Sequence, residues 1–171
     1  MPISDTLLPE FDQEMAGTRA TLERVPDDRL DWSPHDKSGT MRWLAGHVAN
    51  IPSWATLAIA QDELDLAPGG KPLDPPPPPA SSAELVATFD RLASEARAAI
   101  AGAADDELLK PWTMLQNGQQ IMTLPKLAVL RRWVLNHLIH HRAQLGVYLR
   151  LNDVAVPSIY GPSADEAPPG M

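Results

Sequence analysis

The sequence predicts an all-α protein, a four-helix bundle in which the helices run up, down, down and up. Apolar residues recur at three- and four-residue steps over four segments, which is typical of amphipathic helices. The connections between these segments are rich in proline and other turn-forming residues. The chain of 171 residues is 44% hydrophobic, enough for one well-filled core. We therefore expect a single domain over residues 1–171, with a C-terminal extension at 152–171.

Composition and charge exclude several classes of protein. The net charge is -8, with 14 Lys and Arg against 22 Asp and Glu, which disfavours a nucleic-acid partner. The absence of cysteine excludes disulfides, thiolate metal ligands and a cysteine nucleophile. The start, "MPISDTLLPEFDQEM", does not resemble a signal peptide, and no apolar run is long enough to span a membrane. We expect a soluble, cytoplasmic protein that does not bind a membrane.

The first two helices follow from periodicity and proline placement. Helix one is predicted from about residue 5 to 25, and Pro9 is tolerated because it falls near the first turn. Thr40 is a suitable N-cap for helix two, predicted from about residue 41 to 63. Pro52 lies within this helix and should kink or break it, since proline lacks an amide hydrogen and its ring crowds the preceding turn.

The connection "APGGKPLDPPPPPASS" predicts how helix three is oriented. Its five consecutive prolines favour an extended form that rises about 3.1 Å per residue and cannot make a tight turn. It is long enough to cross the whole of helix two, about 33 Å at 1.5 Å per residue. Helix three would then run parallel to helix two. The alternative is a disordered proline loop.

Local signals define the second half of the chain. Ser81 and Glu84 have the spacing of a capping box, which predicts helix three from Ser81 to about Ala101. Asn117-Gly118, between short mixed runs, predicts a small hairpin. The last helix is predicted from about residue 125 to 151.

The last helix contains the segment "NHLIHHRAQLGVYLR". At 100° per residue, His137 and His141 lie on its apolar face, whereas His140 points away. The two are one turn apart, about 6 Å along the axis, close enough to share a metal ion at about 2.1 Å. His47 also faces inward from helix two. Three buried imidazoles without acidic partners are costly unless a metal coordinates them, and three ligands with an open position are typical of a catalytic site.

Aromatic side chains near these histidines are candidates for substrate binding. Trp43 and Trp54 flank His47, and Tyr148 lies two turns beyond His141 on the same face, although such residues more often pack in a core. Arg142 and Gln144 are candidates to orient a ligand. No Asp or Glu lies within one turn of the histidines, so no catalytic base is assigned.

Three stretches of the sequence resemble the DinB-like (DinB/YfiT) superfamily of metal-dependent enzymes: "LAGHVANIPSW", "NHLIHHRAQLGVYLRL" and "VPSIYGPSADE". The resemblance implies a four-helix bundle with a long crossover, and commonly a homodimer. It also implies one divalent ion held by His47, His137 and His141. Zinc, nickel and iron all suit such a site. Many relatives have "HRGQ" where this chain has "HRAQ", which changes only Ala143.

The resemblance also implies a thiol-dependent transferase or a hydrolase that acts on a small molecule, with a low-molecular-weight thiol as a candidate co-substrate. In a hydrolase the ion would lower the pKa of its bound water to about 7. The lack of a nearby carboxylate favours the thiol chemistry. The alternative is a non-catalytic, dimeric helical-bundle or binding protein whose histidines are structural or vestigial.

The C-terminal extension is predicted to be ordered through Glu166. Its apolar residues exceed what a solvated tail needs, so they should pack on the end of the last helix or on a partner subunit. We expect Tyr160 to bury its ring and expose its hydroxyl. After Glu166 we expect disorder.

Overall fold

The computed structural model describes residues 1–167 as helices packed beside a small β-sheet. Disorder was expected after Glu166, and residues 168–171 of that stretch lie outside the described part of the chain. Within residues 1–167, no helix is long and apolar enough to cross a membrane. A π-helical turn, Leu130–Leu135, joins the last two helices. The elements in chain order are α1 (Ile3–Leu22), α2 (Met41–Asn50), α3 (Ser53–Ala60), β1 (Glu63–Asp65), α4 (Ser82–Gly102), α5 (Asp105–Leu109), β2 (Pro111–Gln116), β3 (Gln119–Pro125), α6 (Lys126–Val129) and α7 (Asn136–Leu151).

The prediction of an all-α four-helix bundle is wrong, because the structure contains a three-stranded sheet in the order β1-β2-β3. The predicted hairpin supplies two of its strands, with β2 and β3 antiparallel. The unpredicted strand is β1, which pairs in parallel with β2 so that Glu63 lies opposite Thr113. A three-residue strand carries almost no periodicity, and its partner lies far away in the chain. The fold is therefore a mixed one, with helices and a small sheet.

The hairpin turn is the predicted one and also anchors β1. Asn117 and Gly118 both have positive φ, 51° and 74°, as a tight two-residue hairpin turn requires. Their amides donate to the carboxylate of Asp65 at 2.9 and 2.7 Å, and the amide of Ala67 donates to it at 2.9 Å. These backbone donors, that of Ala67 foremost, hold the pKa of Asp65 below its usual value. The turn and the end of β1 are thus tied together.

The long helices enclose one apolar core. Ion pairs at opposite ends show that α1 and α4 are antiparallel, since Arg19 pairs with Asp90 and Arg97 with Asp12. Helices α2 and α7 also contact each other. The core between these helices is buried, and its members include Phe11, Met41, Leu44, Val48, Phe89, Leu138 and Leu145.

Helix two is divided at Pro52, as predicted. The α-helical hydrogen bonds continue to Ile51, whose amide donates to the carbonyl of His47 at 3.1 Å. The next amide to donate is that of Trp54, which reaches only three residues back, to Ile51. The predicted single helix to residue 63 is thus two shorter helices, α2 and α3, and α3 ends at Ala60 because the chain then enters β1.

The proline-rich segment leads from the end of β1 back to the start of α2. Pro75 to Pro78 are exposed, whereas Pro79 is buried against Gly46. A Cβ atom at position 46 would lie only 3.0 Å from Cδ of Pro79, so a glycine permits this close approach. The Arg42 guanidinium donates to the Pro79 carbonyl. The segment is thus docked on α2 immediately before α4 begins.

Helix α4 begins with the predicted cap. The Ser81 hydroxyl accepts the amide of Glu84 at 3.2 Å. The Glu84 carboxylate accepts the amide of Ala80, one residue before the cap, at 2.7 Å. Two amides at the start of the helix therefore find side-chain acceptors.

The C-terminal segment is ordered through Glu166 and packs on the same chain. Val154 and Val156 contact the core, and Glu166 pairs with Arg24. The expectation for Tyr160, a buried ring and an exposed hydroxyl, is wrong. Its ring is exposed and its hydroxyl forms hydrogen bonds within the protein. That hydroxyl bonds to the buried pair formed by Glu14 of α1 and Arg142 of α7, described below.

A chain that ends at Asn152 should melt at a lower temperature than the full chain. It loses the contacts of Val154 and Val156 and the hydroxyl of Tyr160, for a total of about 3 kcal/mol, or roughly 6–12 °C. Circular dichroism during heating measures the change. A chain that ends at Ala167 retains every described contact and is the control. Equal melting temperatures for the two shortened chains would show that the segment adds no stability.

Candidate metal centre

Three histidines meet where α2 packs antiparallel to α7. The start of α2 lies beside the end of α7, where the Tyr148 hydroxyl donates to the carbonyl of Gly39 at 3.1 Å. Further along, His47 of α2 faces His137 and His141 of α7. The structure therefore brings together the three histidines chosen from the sequence. His140 is exposed and does not join them.

The cluster has the dimensions of a metal site. One ligand nitrogen from each histidine lies within 4.8 Å of the other two, and Nε2 of His47 is 2.9 Å from Nε2 of His137. Two nitrogens bound to one ion at about 2.1 Å lie roughly 3.0–3.4 Å apart, so small adjustments suffice. Within residues 1–167, no Asp or Glu joins the group. The three imidazoles can thus supply three ligands to one divalent ion.

Burial keeps these imidazoles neutral. Desolvation, together with the neighbouring His141 and His137, lowers the pKa of His47 to about 4. The pKa values of His137 and His141 are also lowered, in each case mainly by burial. A neutral imidazole has a free lone pair, which is the form that binds a metal ion. At neutral pH all three are therefore available as ligands.

Gln144 sets the orientation of His141. Its Oε1 lies 2.7 Å from Nδ1 of His141, so that Nδ1–H donates and Nε2 keeps its lone pair. A hydrogen bond to the second nitrogen of a ligand histidine is a common way to fix its tautomer. Arg142, the other candidate for this role, instead points towards α1 and pairs with Glu14.

Tryptophan side chains surround the cluster. Trp43 lies parallel to His47, with ring centroids 5.3 Å apart and 6° between the planes. Trp54 meets His47 and His137 edge-on, at 5.6 and 5.1 Å. Trp133 lies 6.1 Å from His137 and was not selected from the sequence. Its position four residues before His137, on the same face of a helix, was the available signal.

The three predicted substrate-binding residues differ in their surroundings. Trp43 and Trp54 contact the histidine rings, and Trp43 is 57% exposed, so a ligand can reach it. Tyr148 is half-buried, with its hydroxyl bound to Gly39 and its ring against Trp32. Its observed role is to join α7 to the start of α2. Substrate binding by all three stays a prediction.

A cavity of about 310 Å³ opens beside His47. One wall is the α2 face that carries Trp43, His47 and Asn50, and the opposite wall is Pro75 to Pro79. Its size suits a small molecule. The cavity thus reaches His47 from the side on which the proline-rich segment is docked.

Comparison with known proteins identifies the family. The DinB superfamily matches residues 10–145, and the chain therefore belongs to this superfamily. A DinB-like protein from Bacillus cereus ATCC 10987 is 19% identical, with a TM-score of 0.65 over 90% of this chain and 95% of that chain. The DinB-like protein YjoA from Bacillus subtilis is 15% identical, with a TM-score of 0.67 over 90% and 97%. At these identities the structures support the fold alone. No curated protein matches the chain.

Replacing any one of the three clustered histidines with alanine should sharply reduce metal content. Each substitution removes one of three nitrogen ligands, and two imidazoles hold a divalent ion far more weakly than three. Elemental analysis of untagged protein measures the loss. His140→Ala is the matched control, because this exposed histidine lies outside the cluster. An equal loss in the control would mean that the ion binds elsewhere.

Gln144→Ala should weaken metal binding without unfolding the protein. It removes the acceptor for Nδ1–H of His141, and the loss of such a partner typically costs about 10–100-fold in metal affinity. Competition with a chromophoric chelator gives the affinity. Because Gln144 is exposed, the melting temperature of the metal-free protein should stay unchanged. Unchanged metal affinity would exclude this role.

Proposed function

We propose that the protein is a metal-dependent enzyme that acts on a small molecule. The observation that carries the proposal is the convergence of three neutral imidazoles, from His47, His137 and His141, beside an accessible cavity. Three protein ligands with an open position are typical of catalytic sites, whereas structural sites are usually closed by four. Imidazole ligands suit zinc, nickel and iron alike.

A thiol-dependent transferase is the chemistry we favour. When bound, a divalent ion lowers the pKa of a coordinated thiol or water and so supplies a nucleophile at neutral pH. A hydrolase would also need a group to move protons, and no carboxylate joins the histidines within the described residues. A metal-bound thiolate is already deprotonated, so it depends less on a group that moves protons. Hydrolysis is the second candidate because the same open position suits a water molecule.

The chain's own residues would orient the metal ligands and contact a bound substrate. Gln144 holds His141 with Nε2 facing the cluster. Trp43 and Trp54 lie on neighbouring sides of His47 and give a bound substrate aromatic surface to pack against.

Metal analysis followed by thiol titration tests the proposal. Protein purified without a tag should contain close to one equivalent of a divalent metal, and His47→Ala should contain almost none. Cobalt-loaded protein should then develop a thiolate-to-cobalt absorption band when a small thiol is added. A cobalt site that ignores thiols but supports hydrolysis would favour the second candidate. Failure to bind any divalent metal would exclude both.

A further inference from the structure

We infer that the site takes a small-molecule anion, whose negative charge is held by Arg42 while its reacting group lies against His47, the histidine of the cluster that lines the cavity. This inference rests on the proposed function and names the class of substrate. It follows from the charges around the cavity, from the donors that Arg42 retains and from the chemistry of the proline wall.

The cavity beside His47 is lined without an acidic side chain among the described residues. Arg42 is the cationic residue in its lining, and Thr40 and Asn50 add neutral polar groups. Three neutral imidazoles do not neutralise a divalent ion, so a loaded site keeps its two positive charges. The site would therefore be a positive cavity in a chain of net charge -8. Such a cavity attracts and concentrates small anions.

Arg42 has hydrogen-bond donors to spare. Its Nε donates to Asp31 at 3.0 Å, and its Nη1 donates to the Pro79 carbonyl. A guanidinium has five N–H donors, and Nη2 has no partner within residues 1–167. Asp31 is 85% exposed, so water competes with this ion pair and a ligand can share or displace it. The planar guanidinium suits the oxygens of a carboxylate, sulfonate or phosphate.

The proline wall directs the anionic group towards Arg42. Proline has no amide hydrogen, so Pro75 to Pro78 give a bound ligand carbon surface and carbonyl oxygens but no backbone donor. Trp43 supplies apolar surface on the opposite side. A suitable ligand therefore has a compact apolar body, one anionic group and one group that reaches His47.

Three small thiols of different charge test this arrangement on the cobalt-loaded protein. The probes are 3-mercaptopropionate, 2-mercaptoethanol and cysteamine, which carry an anionic, a neutral and a cationic group at neutral pH. Thiolate-to-cobalt absorption reports binding. The anionic thiol should bind roughly tenfold or more tightly than the neutral one, because it gains a charge-assisted hydrogen bond to Arg42. Cysteamine should bind most weakly.

Substitutions at Arg42 and at Asp31 test whether Arg42 causes the preference for the anionic thiol. Arg42→Gln should abolish the advantage of the anionic thiol, and Arg42→Lys should retain part of it. Asp31→Asn should increase it by freeing the guanidinium, and this variant alters only an exposed side chain. Arg97→Gln is the control for charge, since Arg97 lies on α4 in an exposed pair with Asp12. Its thiol preference should equal that of the unaltered protein.

The outcomes separate this inference from the proposed function. Protein that binds no cobalt would overturn the proposed function, and the inference with it. Cobalt-loaded protein that binds all three thiols equally would overturn the inference alone. Cobalt-loaded protein that binds none of them would overturn the inference together with the favoured thiol chemistry. The inference also fails if Arg42→Gln keeps the full preference for the anionic thiol. Should that variant not fold, an unchanged preference in Asp31→Asn decides against Arg42.

Discussion

The antiparallel packing of α2 on α7 is the constraint on which the rest of the site depends. Two contacts define it, the Tyr148 hydroxyl on Gly39 at one end and His47 beside His137 at the other. Between them the buried side chains of Leu44 and Leu138 belong to one continuous core. If either helix shifted along its axis by one turn, about 5.4 Å, the imidazoles would separate and apolar core surface would become exposed at the same time. Core packing and the geometry of the cluster are therefore set by the same contacts.

The opposite side of α7 is joined to α1 by a buried ion pair. Arg142, next to His141 in the chain, is 5% exposed and forms an ion pair at 2.7 Å with Glu14 of α1. The Tyr160 hydroxyl donates to Glu14 and accepts from Arg142, both at 2.7 Å. Buried charges are costly to desolvate, so such a pair is tolerated only where its geometry and hydrogen bonds are good. The C-terminal segment thus helps to hold the helix that carries two of the three histidines.

Features that depend on single positions or on the apolar face of one helix were predictable from the sequence, whereas pairing with a distant strand was not. The Asn117–Gly118 turn, the Ser81 cap and the break at Pro52 each depend on the residue at that position, and all three appear in the structure. The histidine cluster was also foreseen, since each helix carries its own apolar face. Strand β1 was missed because only its pairing with a distant strand makes it one. The all-α assignment failed for that reason.

Trp133, which was not selected from the sequence, lies in the π-helical turn Leu130–Leu135. Such a turn holds one more residue than an α-helical turn and so amounts to an insertion inside a helix. Deleting one residue there would restore regular winding and rotate α6 and the hairpin by about 100° relative to His137 and His141. The spacing of the two histidines would not change. In alignments of relatives, a one-residue gap just before the first histidine would therefore signal a differently oriented hairpin beside the same ligand pair.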